Sequence, residues 1–373
     1  MFIGIPKEVK NHEYRVGLIP TAVHELVLAG HQVVVEKNCG VGVGFSDADY
    51  QAQGATVVDQ AKDVFAQADM IVKVKEPQPT EYRLLRAGQT LFTYLHLAPD
   101  PQQTQALVES GATCIAYETI TADRPGFLPL LAPMSEVAGR MSIQAAAMCL
   151  EKSHAGRGLL LGGVPGTMPA KVVILGAGIV GTNAAIIARG MGARVIVFDK
   201  SAAALHAIEQ RFGSSVITLF ASPALVHEQI LQADVVIGGV LVRGAQAPKL
   251  VTAAMVKDML PGSVLVDVSI DQGGCFATSH PTSHANPTFV VDDVVHYCVT
   301  NMPGAVARTS TISLNNATLP YILRLANQGV REALLADQHF LNGLNVFQGK
   351  ITSAEVAEAL GYDYAEPERL LGT

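Results

Sequence analysis

The residues best suited to chemistry in this chain are a glycine pattern and the acid that follows it. The apolar run Lys171 to Leu175 leads into Gly176-Ala177-Gly178-Ile179-Val180-Gly181, and a small-residue helix follows from Thr182 to Gly192. The first glycine allows a tight turn, the second lets a pyrophosphate approach the backbone, and the third lets the helix pack against the strand. Strand, loop and helix in this order predict a dinucleotide site at the positive end of the helix.

The acid that follows the second apolar strand, Arg194 to Phe198, indicates which dinucleotide binds. Asp199 lies about 20 residues beyond the glycine loop, where a carboxylate accepts hydrogen bonds from a ribose. The same carboxylate repels the 2′-phosphate of NADP, and no arginine replaces it, although Lys200 follows. We therefore expect NAD. A glycine-rich packing turn is the simpler interpretation, but it leaves the spacing of Asp199 unexplained.

Four polar residues follow predicted strands, at the ends where open parallel sheets bind their ligands. If two sheets face each other across a cleft, all four could surround one small substrate beside a nicotinamide. Each also has a plainer interpretation, because loop cations are usually solvated, a single histidine is often structural, and an aspartate can cap a glycine turn. The four are Arg15 after Phe2 to Ile5, Lys75 after Met70 to Val74, His96 after Thr90 to Leu95, and Asp271 after Ser263 to Val268.

Composition limits the class of protein. The 373 residues suit two domains, and 49% hydrophobic with 16% charged residues is typical of a compact α/β enzyme. The net charge of −7 and the absence of basic runs argue against nucleic acid as a partner. Five cysteines without a C-x-x-C pair indicate reduced thiols in a cytosolic protein and no zinc site. We see neither an export signal nor an apolar run long enough to span a membrane.

The order of elements predicts an α/β fold with two Rossmann-like domains and mostly parallel sheets. Strands and helices alternate in the first part, and the alternation restarts at Lys171. Ser135 to Ser153 reads as a buried connecting helix, and the tail from Ser310 reads as helices without further strands. We predict a substrate domain of residues 1–134 plus 305–373, into which an NAD domain of residues 135–304 is inserted. Further strands are predicted at Gln32 to Glu36, Thr113 to Tyr117, Val216 to Phe220, Asp234 to Ile237 and Thr288 to Val291, and helices at Ala22 to Ala29, Glu81 to Ala87 and Pro101 to Ser110.

Several longer motifs make the chain resemble L-alanine dehydrogenase, within the alanine dehydrogenase and transhydrogenase family, over nearly its whole length. These motifs are far more specific than the glycine pattern alone. They are Gly4-Ile5-Pro6-Lys7-Glu8, Asn11-His12-Glu13-Tyr14-Arg15-Val16, Val74-Lys75-Glu76-Pro77, Tyr94-Leu95-His96-Leu97-Ala98, Pro133-Met134-Ser135-Glu136-Val137-Ala138-Gly139, Asp267-Val268-Ser269-Ile270-Asp271-Gln272-Gly273-Gly274-Cys275 and Asn301-Met302-Pro303-Gly304-Ala305-Val306.

The resemblance implies a role for each matching residue. Arg15 and Lys75 would hold the substrate carboxylate, with Met134 and Asn301 also at the substrate, and His96 and Asp271 would be catalytic. The substrates would be L-alanine, pyruvate and ammonium, without a metal, and the assembly would be a homohexamer. The residues implied to bind NAD are Ser135, Gly176, Gly178, Ile179, Val180, Gly181, Asp199, Ser222, Val240, Leu241, Val268, Ser269, Ile270, Asp271, Val299 and Met302.

The implied chemistry agrees with these residue types. Arg15 can donate two parallel hydrogen bonds to a carboxylate, and Lys75 can supply a compact positive charge. Hydride leaves the α-carbon for the nicotinamide, His96 exchanges a proton with the attacking water, and Asp271 stabilises the developing positive charge. Two positions depart from the family: His280 stands where relatives can carry an arginine near the phosphates, and Ala307 replaces an expected proline.

Three other functions remain open at this stage. An NAD-binding component of a proton-translocating transhydrogenase shares the ancestry, but it would not need the Arg15, Lys75 and His96 set. A regulatory NAD-binding protein without turnover would be expected to have lost polar residues from that set. A dehydrogenase for a different small amino acid is poorly discriminated by the sequence.

Overall fold

The computed structural model describes residues 1–240 and 247–372. It contains two compact units, of which the first combines Met1–Met134 with Val306–Thr373 and the second is Ser135–Ala305. The helix that links the two units spans Ala132–Cys149, a few residues earlier than predicted. None of the described helices is long and apolar enough to cross a membrane.

Strands and helices alternate along the N-terminal part of the first unit, as its pattern predicts. The strands are β1 (Phe2–Ile5), β2 (Gln32–Glu36), β3 (Thr56–Val58), β4 (Met70–Val72), β5 (Thr90–Thr93) and β6 (Thr113–Ala116). The helices are α1 (Pro20–Leu28), α2 (Asp47–Ala52), α3 (Ala61–Gln67), α4 (Pro79–Tyr82) and α5 (Pro101–Ser110). The predicted helix from Glu81 to Ala87 is wrong, because only the single turn of α4 forms there.

The linking helix, α6 (Ala132–Cys149), is followed by a second alternating series. Its strands are β7 (Lys171–Leu175), β8 (Arg194–Asp199), β9 (Ile217–Phe220), β10 (Val235–Gly238), β11 (Val264–Asp267), β12 (Thr288–Val291) and β13 (Val294–Tyr297). Its helices are α7 (Ile179–Gly190), α8 (Ala202–Phe212), α9 (Pro223–Ile230) and α10 (Ala253–Lys257).

The tail returns to the first unit and contains strands, contrary to prediction. Its elements are α11 (Ala307–Gln328), α12 (Val330–Leu335), α13 (Gln338–Leu341), β14 (Leu344–Phe347), β15 (Lys350–Ile351), α14 (Ala354–Leu360) and α15 (Pro367–Gly372). The four residues of β14, three of them apolar, form a strand that pairs antiparallel with β6. β14 thereby covers a sheet edge whose N–H and C=O groups would otherwise be unpaired. Its residues are too few for a strand period to be recognised in the sequence.

The first sheet has the order β15-β14-β6-β5-β4-β1-β2-β3 and is parallel from β6 to β3. The second has the order β12-β13-β11-β10-β7-β8-β9. Its antiparallel pair β12–β13 is joined through Asp292 and Asp293, both with positive φ, as a two-residue hairpin requires. Strand β13 was missed by the sequence analysis. The predicted fold class, α/β with Rossmann-like, mostly parallel sheets, is confirmed.

The central strands of both sheets are buried on both faces, as parallel sheets require. All five residues of β7 are buried, and α7 places its alanines against that strand. In the first unit, the apolar residues of β4, β5 and β6 pack with those of α3 and α5. The carboxyl ends of these rigid strands hold the loops that carry the candidate site.

Candidate active site

Three predicted residues lie on loops that follow neighbouring strands of the first sheet. Strands β5, β4 and β1 are neighbours and run parallel, so their carboxyl ends lie together. Arg15 follows β1, Lys75 follows β4 and His96 follows β5. The last two strands end at Val72 and Thr93, earlier than predicted. Lys75 and His96 therefore stand on connecting loops rather than directly at a strand end.

Arg15 is buried, with 2% of its surface exposed, and Glu13 balances its charge. The Glu13 carboxylate accepts hydrogen bonds from Nε at 2.7 Å and from Nη2 at 2.6 Å. Burial acts to lower the pKa of Arg15, but the hydrogen bonds and charge of Glu13 outweigh it and raise the pKa. Nη1 donates to the sulfur of Met134 at 3.2 Å, which places Met134 beside Arg15. A substrate carboxylate would have to share Arg15 with Glu13.

Lys75 is held mainly through its backbone. Its amide lies 3.4 Å from Glu8 Oε1, and its carbonyl oxygen accepts a hydrogen bond from Thr93 Oγ1 at 3.0 Å. The ammonium is 3.9 Å from Glu76 Oε2, while Glu76 also pairs closely with Lys10. Burial acts to raise the pKa of Glu76, but the two lysines outweigh it and lower the pKa. One carboxylate between two ammonium groups leaves a net positive charge at Lys75.

A buried ion network lies beneath the Lys75 loop and was missed by the sequence analysis. Lys73 is fully buried and donates to Glu8 Oε2 at 3.0 Å and to Glu81 Oε1 at 2.9 Å. Burial acts to lower the pKa of Lys73, but the two carboxylates raise it, while burial raises the pKa of Glu8. Because Glu8 Oε1 also accepts the Val74 amide at 2.7 Å, the network fixes the backbone that leads to Lys75.

His96 has a backbone conformation that is uncommon for a residue other than glycine, with φ at 50°. Its amide donates to Glu118 Oε1 at 2.6 Å, and its Nδ1 lies 3.8 Å from the same oxygen. The imidazole stacks on Tyr94 with ring centroids 6.0 Å apart, and 46% of its side chain is exposed. These contacts hold the His96 backbone in a strained conformation and leave the imidazole accessible to a ligand. Such strain is typical of functional sites.

The glycine loop of the second unit has the geometry that a dinucleotide needs. Gly176 has φ at 105°, and a Cβ at Gly181 would lie 1.7 Å from the Gly176 carbonyl oxygen. Packing therefore explains two of the three glycines. Among residues 1–240 and 247–372, a Cβ at Gly178 would meet no atom within 4 Å, and no side chain caps the α7 N-terminus. The open space beside uncapped N–H groups fits a pyrophosphate.

Asp199 ends β8 and contacts the glycine loop directly. Its Oδ2 accepts a hydrogen bond from the Ala177 amide at 2.7 Å, and its Oδ1 accepts one from the Ser201 amide at 2.7 Å. An ionised carboxylate has about four lone-pair sites, so two backbone contacts leave acceptor capacity for ribose hydroxyls. The residue types and their arrangement fit NAD.

The other predicted cofactor residues occupy loops at the carboxyl ends of the second sheet or the start of α6. Ser222 caps α9 by accepting the Leu225 amide at 3.3 Å, and Ser269 Oγ donates to the Val240 carbonyl at 2.8 Å. Ser135 is half-buried in the first turns of α6. Leu241 lies outside the described residues. Ile179 and Val180, which open α7, are half-buried.

Residues beyond β11 and β13 differ in how they could reach a ligand. Asp271 is exposed, and its carboxylate makes no hydrogen bond or ion pair within residues 1–240 and 247–372. Val299 and Met302 are buried in the core of the second unit. Asn301 has φ at 57°, and its carbonyl oxygen lies 3.2 Å from His284 Nε2.

The two positions that depart from the family take defined places. His280 is exposed and stacks on Phe289, with ring centroids 3.7 Å apart. Ala307 is the first residue of α11, where a helix tolerates either alanine or proline. Neither position touches the residues of the catalytic set in the contacts described.

Comparison with known proteins decides the family. The model of the alanine dehydrogenase/PNT N-terminal domain matches residues 4–138, and that of the C-terminal domain matches residues 142–354. The chain belongs to the alanine dehydrogenase/PNT family. Membership confirms the resemblance inferred from the motifs and identifies the chain as an oxidoreductase.

Individual relatives support the family over the full length. Alanine dehydrogenase of Halomonas elongata is 56% identical and covers all of both chains. A solved L-alanine dehydrogenase is 52% identical, with a TM-score of 0.94 over 97% of this chain and 99% of its own. A transhydrogenase from Sinorhizobium meliloti is 25% identical, with a TM-score of 0.80 over 95% of this chain and 99% of its own.

Proposed function

We propose that the chain catalyses the reversible, NAD-dependent oxidative deamination of L-alanine to pyruvate and ammonium. The observation that supports this proposal is that Arg15, Lys75 and His96 follow three neighbouring parallel strands, at the carboxyl-terminal edge of the first sheet. Two cations suit a carboxylate, and an imidazole beside them suits proton transfer at neutral pH. The names of relatives more than half identical support the same reaction.

The second unit is the part that we assign to the cofactor. Its glycine loop would hold the pyrophosphate, Asp199 the adenosine ribose, and the loops that carry Ser222, Ser269 and Asn301 the remainder. Bound NAD supplies the acceptor for the hydride that leaves the substrate α-carbon. We assign the first unit to the substrate.

The charges in the first unit determine how it would bind alanine or pyruvate. Arg15 with Glu13 is neutral as a pair, whereas Lys75 retains net positive charge beside Glu76 and Lys10. Lys75 therefore supplies the attraction for the substrate carboxylate, and the buried Arg15 supplies direction. Met134 packs against Arg15 and limits the space beside it.

Proton transfer falls to His96 and charge stabilisation to Asp271. After hydride departure, the substrate is an iminium, whose carbon is attacked by water. His96 Nε2 or Nδ1 takes a proton from that water and returns it to the amine. As the C–N bond breaks and the carbonyl forms, the hydroxyl proton passes through His96 to the released ammonia. The carboxylate of Asp271 stabilises the cationic nitrogen. Pyruvate and ammonium leave, and the reverse sequence aminates pyruvate.

The principal rival is hydride exchange between nucleotides, as the name of the Sinorhizobium relative suggests. That reaction has no amino-acid or keto-acid substrate, so Lys75 and His96 would have no role in it. NADH formation with a panel of small L-amino acids distinguishes the functions. Activity that is highest with L-alanine supports the proposal, and activity with a different amino acid corrects the substrate. Binding of NADH without any turnover would instead favour a regulatory protein.

We further propose that the enzyme is a cytosolic homo-oligomer, a hexamer if it follows the resemblance. The second unit exposes apolar side chains around one surface cavity, with Leu160 66%, Met191 45% and Met148 37% exposed. Such a patch is typical of a protein interface. Leu160→Glu should shift the mass measured by light scattering toward smaller species. Leu28→Glu, on a helix of the first unit, is the matched control.

A further inference from the structure

The loop that carries Asp271 is fixed by contacts to its backbone. It runs from Val268 to Ser279, and Asp271 lies in its short 3₁₀ turn, Ile270–Gln272. The carboxylate of Asp271 makes no contact of its own within the described parts of the chain. Its position therefore depends on whatever holds the surrounding N–H and C=O groups.

A buried carboxylate holds the N–H groups of this loop. Asp267 is fully buried at the end of β11. Its Oδ1 accepts the Ser269 amide at 3.2 Å, and its Oδ2 accepts the Cys275 amide at 3.0 Å and the Ser279 hydroxyl at 2.6 Å. Residues on both sides of Asp271 are thus tied to one side chain. A Cβ at Gly274, whose φ is 74°, would lie 2.6 Å from Oδ2, so the loop can close only around glycine.

A surface ammonium holds the C=O groups of the same loop. Lys249 Nζ donates to the carbonyl oxygens of Gly273 at 2.5 Å, Gly274 at 2.8 Å and Phe276 at 3.2 Å. These bonds use all three donors of the ammonium. The backbone beside Lys249 pairs with the loop as well, because the Leu250 amide donates to the Cys275 carbonyl at 2.8 Å.

We propose that Lys249 and Asp267 form a two-charge clamp that positions Asp271 for catalysis. The Asp267 carboxylate accepts hydrogen bonds from amide groups of the loop, and the Lys249 ammonium donates hydrogen bonds to its carbonyl groups. Each charge thus lies beside backbone atoms of opposite partial charge. Asp267 is part of the core, but Lys249 is exposed, and its aliphatic chain is not required to fill the interior. Lys249 is thus a positioning residue that acts through Asp271. This inference rests on the proposed role of Asp271.

The test compares three variants in the reductive amination of pyruvate. Lys249→Met removes the ammonium and keeps the length of the side chain, Lys249→Arg retains the charge and several donors, and Lys257→Met removes an exposed lysine of α10. Displacement of a catalytic group by about 1 Å can reduce turnover by about 100-fold, so we expect a loss of roughly 10- to 100-fold in kcat for Lys249→Met. Lys249→Arg should recover most of it, and Lys257→Met should match the unmodified enzyme.

Two further measurements separate a positioning role from a structural one. The loss caused by Lys249→Met should largely disappear when it is measured in an Asp271→Asn background, because both changes then disable the same group. Amide exchange over residues 268–279 should accelerate in Lys249→Met and not in Lys257→Met. Unchanged kcat in Lys249→Met, or an equal loss in the Asp271→Asn background, would overturn the clamp. Full activity of Asp271→Asn alone would instead overturn the role of Asp271 in the proposed function.

Discussion

Glu13 and Arg15 form two parallel hydrogen bonds, Oε1 to Nε at 2.7 Å and Oε2 to Nη2 at 2.6 Å. Their side chains are 0% and 2% exposed, so the pair is withdrawn from water before any substrate arrives. Its charges cancel, and a substrate carboxylate must therefore be attracted by another group. Lys75 is the cation at the same sheet edge that can supply this attraction.

Replacement of Glu13 should weaken the fold. In Glu13→Gln, the buried guanidinium loses its countercharge, which typically costs about 3–5 kcal/mol in the free energy of unfolding. Urea unfolding measures this loss, and Glu25→Gln, at an exposed position of α1, is the control. A loss no greater than that of the control would mean that Arg15 is balanced by other groups.

Replacement of Asp199 should change the choice of cofactor. Asp199→Ser removes the ribose acceptor and the repulsion of a 2′-phosphate, so NAD should bind about 1.5–3 kcal/mol more weakly and NADP relatively better. Asp199→Asn removes the charge but keeps an oxygen that can accept the Ala177 or the Ser201 amide. This variant therefore distinguishes the effect of the charge from the effect of losing the loop hydrogen bonds. The readout is the ratio of kcat/KM for NAD and NADP. A ratio that stays the same in both variants would exclude Asp199 from the ribose site.

Removal of His96 should abolish proton transfer and spare cofactor binding. His96→Ala should lose about 10²–10⁴ in kcat, the usual contribution of a general acid–base group. The dissociation constant of NADH, followed by fluorescence, should stay close to that of the unmodified enzyme. Full turnover in His96→Ala would make His96 structural.

Lys75→Ala should primarily damage pyruvate binding. The substrate carboxylate loses the attraction of the Lys75 ammonium, and we expect a loss of about 1.5–3 kcal/mol, the range for bonds to charged groups. Lys75→Arg keeps the charge and should recover part of it. The dissociation constant of pyruvate with NADH present is the discriminating measurement, because kcat falls too if Lys75 stabilises the transition state. Unchanged pyruvate affinity would assign the carboxylate to another group.

Acid should destabilise the second unit through His296. This ring is buried, with Nδ1 2.9 Å from the Val294 carbonyl oxygen and Nε2 2.7 Å from Thr278 Oγ1. Burial lowers its pKa below the ordinary 6.5, with the neighbouring His280 acting in the same direction. The unfolded chain therefore binds this proton at higher pH than the folded protein does. The stability contribution is complete above about pH 6.5 and is lost as the pH falls toward the folded pKa.

Unfolding measured in urea at about pH 7.5 and about pH 5.5 checks this sign. His296→Gln should lose less free energy of unfolding between the two pH values than the unmodified protein. The difference should be at most about 1.4 kcal/mol, because pH 5.5 lies about one unit below the pKa of the unfolded chain. His206→Gln, at an exposed position of α8, should keep the full pH dependence. If both variants keep it, the proton is taken up elsewhere.

Several features follow from the amino-acid sequence alone. The strand–loop–helix around Gly176, Gly178 and Gly181 is a local pattern, because its turn and its close packing depend on residues near one another in the chain. The alternation of apolar strands with helices predicts parallel sheets for a similarly local reason. Long motifs then identify the family without coordinates, and the placement of Arg15, Lys75 and His96 after strands follows from counting residues.

The tertiary structure decided the partners of those residues. Glu13 on Arg15, Glu8 and Glu81 on Lys73, and Lys249 on the Asp271 loop are all contacts of charged side chains that no period or spacing specifies. The tail strand β14 also pairs with β6 from more than 200 residues away. Such pairings depend on which chain segments the packed sheets bring together. In a low-dielectric interior, a buried charge is stable only if one of those segments supplies a group of opposite charge.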